Sequence, residues 1–508
     1  MLIRKSRWAL GMAWLLTWCL CPSVPAAQAI TLEDLSRQAK TLAEKPFEPN
    51  RGIPDALRTS LTPTREQSSF DQYGIRFKPE ATLWAGKPSS FRLQPFHPGL
   101  YYDRVVRLFE INEKGSQPIP FHKEWFEYGS AALADQVPAD LGYAGFKLFY
   151  GLYQHEPLNE VASFVGASYF RAIGQEQWWG SSARGVAINT ALPSGEEYPY
   201  FISHYLVQPG SNDKEAVVYS LLNGPSITGA YQFVIAPGKN TVMDVEARLF
   251  LRKEVSKLGL APLTSMFLYG ENTLERRFLG ILPEIHDADG LLIAYRQGEW
   301  LWRPLTNPQR LNIDAFTADS PVGFGLLQRD RSYDHYLDHE FQYQKRPSVW
   351  VTPRGYWGKG HVELVQIPSD ADVNDNVVAY FVPDQQPKPG EPLVLSYRLD
   401  WTKDEVIPAE LAHTVNTFVR QDGDQEHFLV MFQGGELQKL APDAALNIVL
   451  RAMPSGEPLT GAKVVHDGNA NAWKLEFAVP SKSEGIKEIR AFLARGSQVL
   501  TETWSYVP

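Results

Sequence analysis

Residues 231–251 read YQFVIAPGKNTVMDVEARLFL, and this stretch decides the fold class. Tyr231, Phe233 and Ile235 fall at every second position, so they share one face of an extended strand. Pro237-Gly238-Lys239-Asn240 cannot continue that strand and supplies turn chemistry. The alternation resumes with Met243, Val245, Ala247, Leu249 and Leu251. Two period-two runs across a four-residue turn predict an antiparallel hairpin.

The same spacing recurs on both sides. Val217, Tyr219 and Leu221 share a face, and so do Trp473, Leu475, Phe477 and Val479. A helical pattern stands out only near residues 31–42. There Thr31 and Asp34 form a capping box, and Leu32, Leu35, Ala39 and Leu42 lie on one side. The chain is therefore expected to be all-β. Pro383 to Pro392 holds four prolines and Gly390, which breaks any ladder and reads as a linker. Beyond it Leu393, Leu395, Tyr397, Leu399 and Trp401 alternate, and near the end Leu500, Trp504 and Tyr506 do so with Glu502 between them. The expected division is a large β-sandwich over 30–382, a linker over 383–392, and a small immunoglobulin-like sandwich over 393–508.

Residues 1–29 read as a cleavable export signal. Arg4, Lys5 and Arg7 precede an apolar run from Trp8 to Leu20, and Ala27-Gln28-Ala29 is a small–x–small cleavage site. No Arg-Arg pair occurs in the first seven residues, which favours the general secretory route. Both cysteines, Cys19 and Cys21, fall inside this signal. The mature chain is then cysteine-free, which excludes disulfides, thiolate metal sites and a cysteine nucleophile. The charge of −9 becomes −12 once the signal's three cations are removed, so a nucleic-acid backbone is a poor partner. No second apolar run reaches the roughly 20 residues that span a bilayer. A periplasmic protein is expected.

Three groups of residues could carry chemistry. Eleven of the 14 tryptophans lie outside the signal, eight of them before the linker. Flat aromatic rings stack on the apolar faces of sugars, and Trp300 and Trp302 share a strand face with Arg303 close by. Core packing is the competing reading for each of them. Trp178-Trp179-Gly180 is less suited to a core, because adjacent side chains on a strand point to opposite faces.

Acidic turns form the second group. Asp370, Asp372 and Asp375 crowd one turn between two strand-like runs, which can raise a carboxyl pKa as a general acid requires. A calcium loop fails there, since Asp375 stands where glycine is needed and Phe381 where glutamate is needed. His286-Asp287-Ala288-Asp289-Gly290 is a second such turn, and a plain solvated turn competes with both readings. The third group is the charged stretch from Gln328 to Glu340, which lacks a clean period and reads as a long surface loop. His335 and His339 stand four apart, a metal spacing without the accompanying glutamate. Nucleotide-binding glycine motifs and a nucleophile elbow are absent, so no cofactor and no metal is expected.

Several strings, taken together, resemble one family. They are Gly166-Ala-Ser-Tyr-Phe-Arg171, Ser182-Ala-Arg-Gly185, Thr190-Ala-Leu-Pro-Ser-Gly-Glu-Glu197, Pro262-Leu-Thr-Ser-Met-Phe267, Trp302-Arg-Pro304, Gly323-Phe-Gly-Leu-Leu-Gln-Arg329, Arg346-Pro-Ser348, Trp357-Gly-Lys-Gly360 and Glu502-Thr-Trp-Ser-Tyr506. In this order they are similar to the periplasmic osmoregulated glucan biosynthesis family. The resemblance implies a large sandwich like that of galactose mutarotase, followed by an immunoglobulin-like one. It implies action on a β-1,2-linked glucose backbone, by inverting hydrolysis. It also implies site residues: Asp375 as general acid, Asp287 on the base side, Tyr343 and Arg346 as substrate contacts, and Asp372 beside the acid. Hydrolysis of this kind needs an acid on the leaving oxygen and a base for water. The alternative is a non-catalytic protein that holds glucan for a membrane glucosyltransferase.

Overall fold

The computed structural model describes residues 29–508 except 65–66, 68, 155–156, 275–280 and 482–485. The export signal, apart from Ala29, lies outside the described residues. No helix among those described is long and apolar enough to cross a membrane.

The all-β reading holds. The hairpin of Ile227–Ala236 and Thr241–Leu251 forms in the expected register, with Phe233 opposite Val245 and Ile235 opposite Met243. Tyr231, Phe233, Ile235, Met243 and Val245 all turn into the core. This hairpin sits inside a 16-stranded sheet, which faces a ten-stranded sheet across that core. Phe164 and Phe170 of the ten-stranded sheet meet Phe233 edge to face, each at 5.0 Å between ring centroids. The helix Leu32–Ala43 carries the expected capping box, with Asp34 N–H donating to Thr31 Oγ1 at 3.2 Å and Thr31 N–H to Asp34 Oδ2 at 2.9 Å. Its buried Leu32, Leu35 and Ala39 cover Leu221 and Ala230 on the outer face of the large sheet.

The expected boundary needs correction. Strand Val377–Pro383 belongs to the ten-stranded sheet. Strand Pro392–Thr402 lies between Thr241–Leu251 and Ser348–Pro353 in the other sheet. Residues 384–391 thus carry the chain from one sheet of the sandwich to the other. Such a crossover must break the ladder, and prolines do that as well here as in a linker. Leu395, Tyr397, Leu399 and Trp401 fill the core of the large sandwich. The small sandwich starts only after Thr402.

In that second sandwich the sheet of His413–Asp422, Gln425–Gln433, Ala472–Pro480 and Lys463–Asp467 faces Asn447–Met453, Glu488–Arg495 and Thr503–Tyr506. Trp473, Leu475, Phe477 and Val479 point inward as the alternation requires. Thr503–Tyr506 also pairs, in parallel, with Trp300–Pro304 of the large sandwich. One sheet therefore runs through both units, and the seam between them lies beside the Asp287 turn.

Candidate functional site

The two acidic turns are 88 positions apart in sequence but are tied to one short strand. Phe267 pairs with His286, and Asp287 N–H donates to Met266 O at 2.8 Å. From the other side Asn376 clamps the same strand. Its Oδ1 accepts from Phe267 N–H at 2.8 Å, and its Nδ2 donates to Phe267 O at 2.9 Å and Ile367 O at 3.1 Å. Asp287 and Asp375 are each the next residue along from a group fixed to Phe267. Asn376 was not singled out from the sequence, because its partner is 109 positions away. Asn376→Ala would leave the buried N–H of Phe267 without an acceptor, at a cost of about 2 kcal/mol. A urea unfolding midpoint unchanged from the parent would show that the clamp carries no energy.

The charges around the two carboxyls follow from this frame. Asp287 is buried and forms an ion pair with Arg346. Burial pushes Asp287 up to about 6; Arg346 and Arg171 oppose the rise, and the charge of Asp375 adds to it. Asp287 is therefore within electrostatic reach of Asp375. Asp375 is the more exposed, with Arg171 Nη2 at 3.4 Å from its Oδ2. Arg171 sits in one of the quoted strings, but nothing local marks its partner, 204 positions away.

Tyr343 and Arg346 join the same place. The Arg346 guanidinium lies 4.2 Å above the Tyr343 ring, and the Tyr343 hydroxyl donates to Asp372 Oδ2 at 3.2 Å. Arg331 donates to the backbone oxygen of Arg346 and so fixes its strand entry. Trp178 N–H donates to Lys345 O at 3.0 Å, and the Trp178 side chain is 42 % exposed. Gly180 leaves room for Arg346, since a Cβ there would come within 2.9 Å of the arginine's own Cβ. Asp287, Asp375, Tyr343, Arg346 and Asp372 thus form one constellation, with Arg171 and Trp178 added to it.

Trp300 and Trp302 do not join it. Trp302 is 3 % exposed and lies under the Arg329 guanidinium at 3.7 Å from its centroid. Trp300 stacks on Trp350 at 5.8 Å. Trp302 packs into the core of the small sandwich and the partly buried Trp300 packs against it, so both lie at the seam between the two units and not with the acidic turns. The expected surface loop is also only partly one. Tyr336 and Tyr343 are buried beneath it with Met266, Leu268 and Tyr269. His335 turns to Glu284 at 3.3 Å, whereas His339 bonds the Tyr333 hydroxyl at 2.9 Å, so the two imidazoles part.

Behind the Asp287 turn lies a buried ionic network. Glu284, His286 and Asp330 bring ligand-type atoms within 4.8 Å of one another. Both ring nitrogens of His286 are already engaged, Nε2 with Glu284 at 3.0 Å and Nδ1 with Gln328 and Asp289, each at 3.0 Å. Burial alone would lower the His286 pKa, but Asp289, Glu284 and Glu271 outweigh it and lift it to about 9. A charged imidazolium between carboxylates makes a structural ion-pair network. The network holds the backbone on which Asp287 is mounted.

Two neighbouring carboxyls of unlike burial, with aromatic and guanidinium groups beside them, are the kinds of group that glycosidic chemistry uses. Comparison with known proteins points to the same class of molecule. Residues 30–507 match the family described as periplasmic glucan biosynthesis protein, MdoG. A glucans biosynthesis protein G from Ralstonia nicotianae is 42% identical over 500 residues, covering 96% of this chain and 97% of that protein. Proteins of the same name from Sodalis glossinidius and Pseudomonas paraeruginosa are each 40% identical, covering 99% and 94% of this chain. With that identity and coverage, the chain belongs to the MdoG family of periplasmic glucan biosynthesis proteins.

Proposed function

We propose that the protein works in the periplasm on the β-1,2-linked glucose backbone of a glucan and hydrolyses it with inversion. Asp375 protonates the leaving oxygen, and Asp287 activates the attacking water, directly or through a chain of waters. The observation that supports this most is the attachment of both acidic turns to the single Met266–Phe267 segment, where the charge of Asp375 is felt at Asp287. Asp375 is the exposed member, as a group that must reach the glycosidic oxygen should be. Asp287 is the buried member, oriented by Arg346. Tyr343 and Asp372 would hold sugar hydroxyls.

Incubation with linear β-1,2-glucan tests the reading, with new reducing ends followed over time. Their absence, with glucan still bound, would replace hydrolysis by non-catalytic holding of the chain for a membrane glucosyltransferase. One contact favours that second reading: Arg171 offers Asp375 a cation at 3.4 Å.

The pH profile gives an independent check. A base-side carboxyl must be ionised, so kcat/KM should rise with pH through about 6, where Asp287 titrates. Arg346 opposes protonation of Asp287, so Arg346→Met should move that rising limb to higher pH. A limb that stays in place in the variant would remove Asp287 from the base role.

A further inference from the structure

We infer that Tyr198 is a pre-set stacking platform for a glucosyl ring of the bound chain, reached from the Asp375 side of the cleavage point, with Arg184 and Glu196 as its positioning residues. The inference rests on the glucan reading above and extends it to a place that reading does not use. Phe170, Ala172 and Ala183 turn into the sandwich core. Strand alternation then puts Tyr169, Arg171 and Arg184 together on the opposite, outer face of the ten-stranded sheet. Arg171 is the partner of Asp375 on that face. Tyr169 lies two residues before it and directly opposite Arg184 on the next strand. Two residues along a strand is about 7 Å, on the order of one sugar unit. Arg184 lies 5.0 Å from the rings of both Tyr169 and Tyr198, so the row runs on from Arg171 through Tyr169 to Tyr198.

Arg184 is 1 % exposed, and among the described residues its ion pair is with Glu196, at 2.9 Å. Its Nε and Nη2 meet no hydrogen-bond acceptor among the described residues. Instead the guanidinium lies between two rings, 5.0 Å from the centroid of Tyr169 and 5.0 Å from that of Tyr198. A buried guanidinium with so few oxygen partners is held by ring faces, a role for which planar arginine is suited. Tyr198 is nevertheless 51 % exposed. Its hydroxyl donates to Glu196 Oε2 at 3.2 Å, and Thr190 Oγ1 holds Glu196 Oε1 at 2.8 Å. An exposed aromatic ring fixed by a cation beneath it and a tether at its tip has lost the freedom a surface tyrosine normally keeps. A surface that stacks on the apolar face of a sugar needs that loss in advance.

The loop supporting it is over-determined in the same sense. Asn189 and Ala191 have φ of 54° and 58°, a conformation that side-chain-bearing residues rarely adopt. Asn189 Oδ1 accepts from Lys257 N–H at 3.0 Å, and Lys257 Nζ donates to Thr190 O at 3.1 Å. Glu197 N–H donates to Ile188 O at 3.0 Å and closes the loop base. Strained backbone kept in place by such bonds is characteristic of a ligand clamp.

The test is a calorimetric length series of linear β-1,2-gluco-oligosaccharides, from the disaccharide upward. It compares Asp375→Asn protein with the Asp375→Asn/Tyr198→Ala double variant. The expected result is equal affinity for short chains and about tenfold weaker binding by the double variant once the chain is long enough to reach residue 198. Tyr198→Trp in the same background should restore most of the loss, and every variant should remain folded at the temperature of the titration. Equal affinity at every length, or a loss uniform across lengths, overturns the platform while leaving the glucan reading intact. Failure of the Asp375→Asn protein and the parent to bind any of the series overturns both.

Discussion

Asp375→Asn is expected to lower the rate of β-1,2-glucan hydrolysis by about 10²–10⁴-fold and to leave glucan affinity within a few-fold of the parent. The amide keeps the shape and one acceptor oxygen but has no proton to give to a leaving alkoxide. Arg171 loses its ionic partner at 3.4 Å, a pair with both side chains well exposed, so the cost to stability should be under about 1 kcal/mol. Asn376 beside it does the work of holding the turn, and that is untouched. The variant therefore separates chemistry from folding. Asp372→Asn is a control from the same turn: its recorded side-chain contact is the Tyr343 hydroxyl at 3.2 Å, and an amide oxygen can accept that bond as well. Its effect should be confined to affinity. Parent-level reducing-end formation by Asp375→Asn would end the assignment of the acid. Product from neither protein, with both binding glucan, would leave a holding role.

How much of this was legible in the sequence depends on the range over which each feature is determined. The hairpin at 227–251 and the capping box at Thr31 are local, with partners a few residues apart, so period and turn chemistry suffice. The acidic turns were legible as turns, and five of the seven expected site residues converge. Trp300 and Trp302 show the limit of periodicity. It places them on one side of a strand but does not say what covers that side, and here the small sandwich covers it. The proline-rich segment was read as a linker because breaking a ladder looks the same whether the chain leaves a domain or only changes sheets. Arg171 and Arg184 stand in quoted strings, but nothing local marks their partners or those of Asn376, since each becomes meaningful only when strands distant in sequence are set side by side. Glu502 is the intermediate case. It shares the parity of Leu500, Trp504 and Tyr506, all of which turn inward. An acid in an inward register signals a buried cation without naming it.

That cation is Arg329, and Glu502→Ala is expected to cost about 3–5 kcal/mol of stability. The side chains of the pair are 4 % and 0 % exposed. Arg329 Nη1 donates to Oε1 at 2.7 Å and Nη2 to Oε2 at 3.0 Å, the two-pronged geometry in which arginine is strongest. Thr414 N–H also donates to Oε1, at 2.8 Å. Alanine would orphan that N–H along with the buried guanidinium, which would keep the Trp302 ring, the Thr414 carbonyl and Glu405 at 3.7 Å. Those remaining partners place the loss toward the lower end of the range. Glu502→Gln, which keeps an acceptor, should lose less. Arg329→Met combined with Glu502→Leu should recover much of the difference, because removing both charges leaves neither one buried alone. Urea unfolding of the three variants decides it, and a Glu502→Ala midpoint equal to the parent's would show that the pair is not a fastener. The consequence reaches the site. The backbone N–H groups of Arg329 and Asp330 both donate to Asp289 Oδ2, and Asp289 ends the turn that presents Asp287. Arg329 thus links the small sandwich to the turn that carries Asp287. Glu502→Ala should therefore also lower kcat under conditions where the protein is still folded, while Glu502→Gln, with its acceptor retained, keeps most of it.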